Sequence, residues 1–419
     1  MPQRCTRSGL RIGDERLQDS IELLNEFPIG TQLDFAAFCK IISPNILLIK
    51  RALRGQFVIP DFEHFSSQLT EIFNTTSSDR SGKVADYIPQ LGRVEPEQYG
   101  VAICTIDGQR QTMGDAHTDF CVQSTCKPIN YCLSLESHGS QNVHGYVGRE
   151  PSGRGFNELT LNHEGRPHNP MINAGAIMSC SLIKPEIAMA DRFDFVMSQW
   201  QAPCGGVKPA FSNSVYLSER QTADRNFALG YFMREHQAFP QGTDLIETLE
   251  FYFQCCSIDV TADMMSVVAA TLANGGVCPT TGLRIFTTKT VEHCLSLMYS
   301  CGMYDFSGEF AFSIGLPAKS GVSGGMMIVV PNVMGVCTWS PRLDRHGNSV
   351  RGIQFCKKLV DTFNFHNYDN LTGLSEKTDP RRSLNDVQSE NVVSVIWAAS
   401  KGDLTAIQHL VARGACLNK

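Results

Sequence analysis

A serine and a lysine three residues apart, Ser124 and Lys127, form an S-x-x-K motif that can supply a nucleophile and its base. On a helix, this spacing places the hydroxyl and the amine about one turn apart on the same face. Pro128 lacks an N–H and fits only in the first turn of a helix, so a helix must begin near Ser124. The unpaired N–H groups and positive dipole at that helix end favour a developing anion. The pattern therefore predicts a serine nucleophile activated by Lys127.

The tetrapeptide alone does not settle the assignment, because serine is also a preferred N-cap residue. The chain contains a second copy, from Ser181 to Lys184. This copy falls at the end of a predicted helix over 174–182, where the helix dipole has the opposite sign. At least one copy therefore has no catalytic role, and we predict that Ser181 is the structural one.

A second motif, Lys319-Ser320-Gly321, lies just before a predicted strand over 326–330. A K-[ST]-G strand beside an S-x-x-K helix is the pairing used by class A β-lactamases and penicillin-binding proteins. The structural alternatives are a solvated lysine on an edge strand and a bulge or turn at the glycines of 321–325. The order of the two motifs along the chain agrees with the catalytic pairing.

The elements that position these motifs predict an α/β (α+β) fold. Two β-hairpins are expected, at 101–113 and at 326–339. A long helical stretch separates them, and its clearest helix begins at the N-cap Thr261. Strands from both hairpins should form one antiparallel sheet, with the helical cluster and a closing helix over 350–363 packed against it.

Flanking regions are predicted on both sides of a catalytic domain that spans 79–374. Residues 1–78 form an EF-hand-like helical module, but no D-x-[DN]-x-[DN]-G loop supplies calcium ligands. Residues 375–391 are polar and charged and indicate a linker. Residues 392–419 resemble the paired helices of one ankyrin repeat, which cannot bury its own apolar face alone.

Composition argues against several other functions. The net charge of -6 over 419 residues provides no basic face for nucleic acid. No run approaches the roughly 20 apolar residues that cross a bilayer, and no secretory signal is evident. The 16 cysteines show neither a disulfide framework nor a paired C-x-x-C zinc motif, so we expect buried, reduced thiols. His163 and His168 lack partners for a metal site, and we expect no metal and no cofactor.

Longer strings resemble one family closely, the phosphate-activated glutaminases of animal kidney and liver type within the serine-dependent glutaminases. The strings are G-K-V-A-D-Y-I-P-Q-L around Tyr87, Q-S-x-x-K-P around Ser124, P-H-N-P-M-I-N-A-G-A-I around Asn173, S-E-R-x-x-x-D-R-N from Ser218 to Asn226, F-Y-F-Q around Tyr252, S-C-G-M-Y-D-F-S-G around Tyr304 and A-K-S-G-V-x-G-G around Val322. They follow the family's order from about Gly82 to Leu371. Both flanks are also similar in kind, since animal glutaminases carry an EF-hand-like region before the catalytic domain and ankyrin repeats after it.

The resemblance implies a serine β-lactamase-like catalytic domain that hydrolyses L-glutamine to L-glutamate and ammonia. It implies a Ser124 acyl-enzyme, with Lys127 as the activating base and Tyr304 and Tyr87 as alternative bases. Backbone N–H groups of Ser124 and Val322 would bind the oxyanion.

The same resemblance implies a set of residues around the substrate. These are Tyr87, Ser124, Asn173, Glu219, Asn226, Tyr252, Tyr304 and Val322. Glu219 can accept from an ammonium group, while Asn226 and Asn173 can donate to a carboxylate or carbonyl oxygen. Structural alternatives stay open: capping or ion pairing for Glu219 and Asn226, a turn for Asn173, and the core for Tyr252.

The resemblance further implies a homo-oligomer, from dimer to tetramer, in the mitochondrion or alternatively the cytoplasm, with inorganic phosphate as an activator. One loop departs from the animal pattern. It has Arg154-Gly155-Phe156 in place of Leu-Arg-Phe and Thr160 in place of an aromatic residue. In the family this loop gates the site and joins dimers, and Gly155 adds backbone freedom. These departures bear on phosphate activation and tetramer formation, not on the chemistry.

Two alternative functions are retained. One is a β-lactamase-like hydrolase of another amide, such as a β-lactam or a peptide. The other is a non-catalytic scaffold whose helical and ankyrin-like flanks bind proteins. Production of glutamate and ammonia from glutamine distinguishes both from a glutaminase.

Overall fold

The computed structural model describes residues 7–11, 13–153, 158–369 and 377–412. The catalytic region is built around a five-stranded antiparallel sheet. Its strand order is β2-β1-β8-β7-β6, and a smaller sheet has the order β3-β5-β4. The strands are β1 (Gly100–Thr105), β2 (Arg110–Gly114), β3 (Phe120–Cys121), β4 (Ala210–Phe211), β5 (Ile258–Val260), β6 (Ala318–Ser320), β7 (Gly325–Val330) and β8 (Met334–Trp339).

Both predicted hairpins are present and lie side by side. β1 pairs with β2, β7 pairs with β8, and β1 also pairs with β8, where Val101 lies opposite Thr338. The prediction that strands from both ends of the catalytic region share one sheet is therefore confirmed. The small sheet was not predicted, because strands of two or three residues carry no detectable periodicity.

Helices surround the large sheet and carry most of the site. They are α1 (Gln18–Asn25), α2 (Phe35–Ile42), α3 (Ile46–Leu53), α4 (Phe62–Thr76), α5 (Pro89–Gly92), α6 (Lys127–Val143), α7 (Asn173–Ser181), α8 (Met189–Gln201), α9 (Asn213–Gln221), α10 (Asp224–Glu235), α11 (Leu245–Cys256), α12 (Ala262–Ala273), α13 (Thr288–Cys301), α14 (Ser307–Ser313), α15 (Val350–Thr362), α16 (Leu384–Lys401) and α17 (Leu404–Ala412).

One face of the sheet is covered by α12. The side chain of Thr261 accepts a hydrogen bond from the backbone N–H of Met264, so the predicted N-cap is confirmed. α12 lies so close to β8 that a Cβ on Gly335 would come within 2.1 Å of the backbone nitrogen of Ala270. A glycine at this position is therefore what allows the helix and the sheet to touch.

The opposite face is covered by α4 and α15. Phe65 and Leu69 of α4 are buried in one core with Val101, Ile328 and Phe355. α4 belongs by sequence to the predicted N-terminal module, yet its apolar face completes the core of the sheet. The module boundary at residue 78 stays a prediction.

The first three helices build a smaller core of their own, centred on Leu17, Ile49 and Phe57. They are attached to the turn between β1 and β2, where Arg51 forms a salt bridge of 2.6 Å with Asp107. At the other end of the chain, α16 and α17 form a helix pair. The assignment of that pair to an ankyrin repeat, and of the segment before it to a linker, stay predictions.

Cysteine burial follows the expectation from sequence. In the parts of the chain that the structure covers, the cysteines are free thiols, and all except Cys39 are buried. Within those same parts, no helix combines the length and apolar character that crossing a membrane requires.

Candidate active site

Ser124 lies in a short 3₁₀ turn, Gln123–Cys126, immediately before α6. Gln123 has a φ of 47°, a left-handed conformation that non-glycine residues rarely adopt and that recurs at functional sites. Pro128 occupies the first turn of α6. Ser124 is thus presented at the N-terminal end of a helix, as its sequence predicted.

Lys127 is buried with 1% of its surface exposed. Its Nζ donates a hydrogen bond of 2.6 Å to Oδ1 of Asn173. Burial lowers the pKa of Lys127 from its ordinary value to about 8, because the charged amine loses its hydration. No carboxylate forms a salt bridge with Lys127 among the residues described. A neutral amine, able to accept a proton, is therefore accessible close to physiological pH.

Tyr304 lies beside Ser124. Its hydroxyl donates to the backbone oxygen of Ser320 at 3.0 Å. Burial raises the pKa of the Tyr304 phenol, and a hydrogen bond with Ser124 offsets part of that rise. The phenol thus remains protonated at neutral pH and can orient the serine hydroxyl.

The K-S-G strand packs directly against the nucleophile turn. A Cβ on Gly321 would lie 2.9 Å from the backbone oxygen of Val122 and 3.2 Å from Cγ2 of Thr125. Lys319 in β6 is fully buried, so the alternative of a solvated edge lysine is wrong. The two motifs singled out in the sequence therefore meet in space.

Val322 follows this strand and lies on the same side as Tyr304. A Cβ on Gly347 would be 3.7 Å from the Tyr304 ring and 4.0 Å from Cγ1 of Val322. Across the described residues, no acceptor is found for the backbone N–H of Val322. This N–H is available to bind a substrate oxygen.

A second group of polar side chains surrounds the carboxylate of Glu219 on α9. The hydroxyl of Tyr87 donates to Oε1 of Glu219 at 2.5 Å, and Nε2 of Gln123 donates to the same oxygen at 2.8 Å. Glu219 is 7% exposed, and this burial raises the pKa of its carboxyl. Tyr87 is 48% exposed as a residue, but its hydroxyl is held between buried groups, and burial together with Glu219 raises the pKa of the phenol.

Asn173 is the hydrogen-bond partner of Lys127. Besides accepting from Lys127, its amide donates to Oδ1 of Asn226 at 3.2 Å. The hydroxyl of Tyr252 donates to Oδ1 of Asn173 at 3.5 Å. Tyr252 is also part of the main core, as the core alternative predicts, and its role in substrate binding stays a prediction.

The contacts above link the residues selected from sequence into three sets. Ser124 contacts Tyr304, which lies near Val322. Asn173 contacts Lys127, Asn226 and Tyr252. Tyr87 and Glu219 contact each other and Gln123, the residue before Ser124. The structure adds Gln123, to which sequence reasoning gave no role. Gln123 is the first residue of the string Q-S-x-x-K-P, which was the available signal in the sequence, but the string alone gives no reason to assign this glutamine a role.

The second S-x-x-K has a structural role. Ser181 is buried and its hydroxyl donates to the backbone oxygen of Met178 at 2.7 Å. Lys184 reaches the surface, with its Nζ 3.7 Å from a carboxylate oxygen of Glu186.

A cavity of about 460 Å³ borders the site at Tyr304. It is also lined by Ser152, Met171 and Asp305, but not by Ser124 or Lys127. The cavity therefore lies beside Tyr304, at the segment that ends at Gly153. Arg154, Gly155 and Phe156 follow this segment in the sequence. Those three residues lie outside the described ranges, so the predicted effect of their departure from the family pattern stays a prediction. Within those ranges, no group of three or more His, Cys, Asp or Glu residues could hold a metal ion.

An S-x-x-K motif at a helix start, packed against a K-S-G strand of an antiparallel sheet, is the arrangement of hydrolases with a β-lactamase-like fold. Comparison with known proteins narrows this class. A family model described as glutaminase matches residues 82–368, and one described as EF-hand domain matches residues 3–60. The chain belongs to the glutaminase family.

Relatives are similar over most of the chain. The mitochondrial liver isoform of glutaminase from Mus musculus is 49% identical over 405 residues, which cover 96% of this chain and 67% of that protein. Putative glutaminase 3 of Caenorhabditis elegans is 49% identical over 97% of this chain and 71% of its own length. The solved structure of the probable glutaminase ybaS superposes with a TM-score of 0.67 at 34% identity, over 71% of this chain and 96% of that one.

Proposed function

We propose that this chain hydrolyses the side-chain amide of L-glutamine to L-glutamate and ammonia, with Ser124 as nucleophile and Lys127 as its base. The observation that carries the proposal is a buried lysine, its pKa lowered to about 8, one helical turn from a serine at a helix N-terminus. Membership of the glutaminase family supports the choice of substrate.

In the first step, the hydroxyl oxygen of Ser124 attacks the carboxamide carbon of the substrate while its proton passes to the neutral amine of Lys127. The carbonyl oxygen becomes an oxyanion. The N–H of Val322, unpaired among the described residues, and the N–H of Ser124 at the helix start are its proposed donors.

The carbon–nitrogen bond then breaks, and the leaving nitrogen takes a proton from Lys127 and departs as ammonia. The product is a glutamyl ester on Ser124. Water attacks this ester while Lys127 accepts a proton from the water. The bond between the acyl carbon and the Ser124 oxygen then breaks, Lys127 gives that proton to the Ser124 oxygen, and glutamate leaves. Each bond and proton of this route is accounted for by side chains, substrate and water.

Lys127 is favoured over the two tyrosines as the base. Burial raises the pKa of both Tyr87 and Tyr304, so losing a proton costs each phenol more than it would in water. The hydroxyl of Tyr87 is moreover directed at Glu219. Tyr304 is better suited to hold the Ser124 hydroxyl in position.

The polar group around Glu219 fits the amino acid end of glutamine. The buried carboxylate of Glu219 can accept from the substrate ammonium in exchange for its bonds to Tyr87 and Gln123. The amide groups of Asn173 and Asn226 can donate to the substrate carboxylate or carbonyl oxygen. Tyr252 would align Asn173 through its hydroxyl.

A pair of serine variants tests the function. Ser124→Ala should abolish release of glutamate and ammonia without loss of folding, whereas Ser181→Ala should stay largely active. Equal losses in both variants would contradict the assignment. Nitrocefin hydrolysis without glutamine turnover would favour the β-lactamase-like alternative. A stoichiometric protein complex with unchanged glutamine would favour a scaffold.

We also propose a homo-oligomer located in mitochondria, supported by relatives named as mitochondrial glutaminases. Inorganic phosphate is proposed as an activator, not as a cofactor of the chemistry. Mass photometry and turnover with and without phosphate test this. No change in mass or rate would contradict phosphate activation, in line with the departures at Arg154, Gly155 and Thr160 from the family pattern.

A further inference from the structure

Lys319 is a buried amine that the proposed reaction does not use. It lies in β6, opposite Met327 of β7. Because side chains alternate along a strand, Lys319 emerges on the same face as Met327, which belongs to the core shared with the helical cluster. Its neighbour Ala318 faces the opposite core. The strand thus directs Lys319 toward the active-site side and leaves none of its surface exposed.

Two contacts hold the Lys319 amine. Nζ donates a hydrogen bond of 2.6 Å to the backbone oxygen of Ser320, and it lies 4.5 Å from the centre of the Tyr304 ring. The hydroxyl of Tyr304 donates to that same Ser320 oxygen at 3.0 Å. Lys319 and Tyr304 therefore share one acceptor and also touch through the face of the ring.

These contacts bear on a strained position. Tyr304 has a φ of 54°, which a tyrosine adopts only when its surroundings enforce it. The phenol oxygen that bonds to Ser320 is the same one that meets Ser124. Fixing the ring and the Ser320 carbonyl therefore also fixes the direction of the Ser124 hydroxyl.

The fold gains little stability from this lysine. Within the described ranges, no carboxylate forms a salt bridge with Lys319, and Lys127 is close enough to disfavour a second charge electrostatically. A buried amine without a counter-ion is costly, and a methionine of similar volume would fill the same space. Groups held at such a cost are concentrated at functional sites.

We propose that Lys319 is a positioning residue for the reaction: through the Ser320 carbonyl and the ring face it holds Tyr304, and through Tyr304 it orients the Ser124 hydroxyl. The proposal rests on the proposed function. It assigns Lys319 no contact with glutamine and no proton transfer.

A double-mutant cycle tests this path. Lys319→Met should lower kcat by about 10- to 100-fold, with KM for glutamine within about twofold of wild type, because only transition-state alignment is lost. In a Tyr304→Phe background, the same substitution should change kcat less than about twofold, because the hydroxyl that Lys319 is proposed to position is already absent. Lys184→Met, at the surface lysine of the second S-x-x-K, is the matched control and should leave kcat unchanged.

If the losses of kcat in the two single variants multiply in the double variant, the proposal is overturned. Full activity of Lys319→Met would also overturn it. Lys319→Gln provides a second variant in case Lys319→Met does not fold, as judged by thermal denaturation. Its amide can still donate to the Ser320 oxygen, so it should retain more activity than Lys319→Met and keep the wild-type pH profile. A Lys319→Gln variant as inactive as Lys319→Met, or with a shifted pH profile, would identify a charge or proton-transfer role and overturn the positioning role.

The two proposals fail in different ways. If Ser124→Ala stays active, the serine mechanism itself is wrong. If Ser124→Ala is inactive while Lys319 and Tyr304 act independently, only the positioning path is wrong.

Discussion

The pH dependence of turnover follows directly from the burial of Lys127. With a pKa of about 8, roughly one tenth of this lysine is neutral at pH 7, against about one part in 3,000 for an ordinary lysine. Burial thus raises the supply of the neutral base by about 300-fold. We expect kcat to rise about tenfold per pH unit well below pH 8 and to level off above it.

Asn173→Asp perturbs this lysine at a defined distance. The substitution replaces the oxygen that lies 2.6 Å from Nζ of Lys127 by a carboxylate oxygen. An opposite charge this close raises a lysine pKa, by about 1–3 units on the precedent of close ion pairs. The rising limb of the kcat profile should therefore move to higher pH by that amount, and kcat at pH 7 should fall at least about tenfold.

Asn226→Asp is the matched control, because Asn226 contacts the amide nitrogen of Asn173 and not the lysine. Asn226→Asp should weaken substrate binding, but it should shift the rising limb of the kcat profile much less than Asn173→Asp does. Glutamate release in a coupled assay between pH 6 and 9.5, at saturating glutamine, measures both variants. A wild-type profile that is flat over this range, or an Asn173→Asp limb that overlays the wild-type limb, would refute Lys127 as the base.

Three further predictions concern recognition, stability and packing. Glu219→Gln should lower kcat/KM for glutamine by about 30- to 1,000-fold, mostly through KM in steady-state assays, because the substrate ammonium loses a buried charge partner worth roughly 2–4 kcal/mol. A small change, with KM intact, would remove Glu219 from the ammonium site. Lys127→Met should be inactive yet more stable by up to about 3 kcal/mol in urea unfolding at pH 7. Because the unfolded lysine has the higher pKa, of about 10.5, the penalty on wild-type stability is complete below the folded pKa of about 8 and decreases between pH 8 and pH 10.5. An equal gain in stability at pH 7 and at pH 10 would contradict this. Gly335→Ala should lower the free energy of unfolding by about 1–3 kcal/mol, because the new Cβ would lie 2.1 Å from a backbone atom of α12. Gly308→Ala is the control and should be nearly neutral, because nothing lies within 4 Å of the new Cβ. Similar shifts of the melting temperature in both variants would show that the close approach of β8 to α12 is not rigid.

Local patterns were sufficient for the elements that carry their own signals. The hairpin at 101–113 shows as a short apolar run that ends at an Asp-Gly turn, and the helix after Thr261 has a cap and a glycine stop. Pro128 alone located the start of α6. These features depend on backbone preferences within a few residues, which sequence displays directly.

Features that depend on contacts between distant parts of the chain could not be predicted from local sequence patterns. Lys319 on an edge strand has the pattern of a solvated residue, and only the approach of the Ser124 turn buries it. The pair Tyr87 and Glu219 is separated by 132 positions, and only the family resemblance linked them beforehand. The packing of α4 onto the sheet likewise depends on the arrangement of the whole chain.

The left-handed conformation of Gln123 is a further case. Nothing in the side chain of glutamine favours a positive φ, so its strain is imposed by the turn that joins β3 to α6. That turn holds Gln123 against Glu219 while it leaves Ser124 partly exposed. Sequence showed the string but not the geometry that gives it meaning.

The proposed mechanism requires a covalent glutamyl ester on Ser124, and rapid acid quenching with isotope-labelled L-glutamine can trap this intermediate. Peptide mapping by mass spectrometry should place the label on the peptide that contains Ser124, and the Ser124→Ala variant should carry none. Label on a cysteine or on Ser181, or continued glutamate release by Ser124→Ala, would contradict the account.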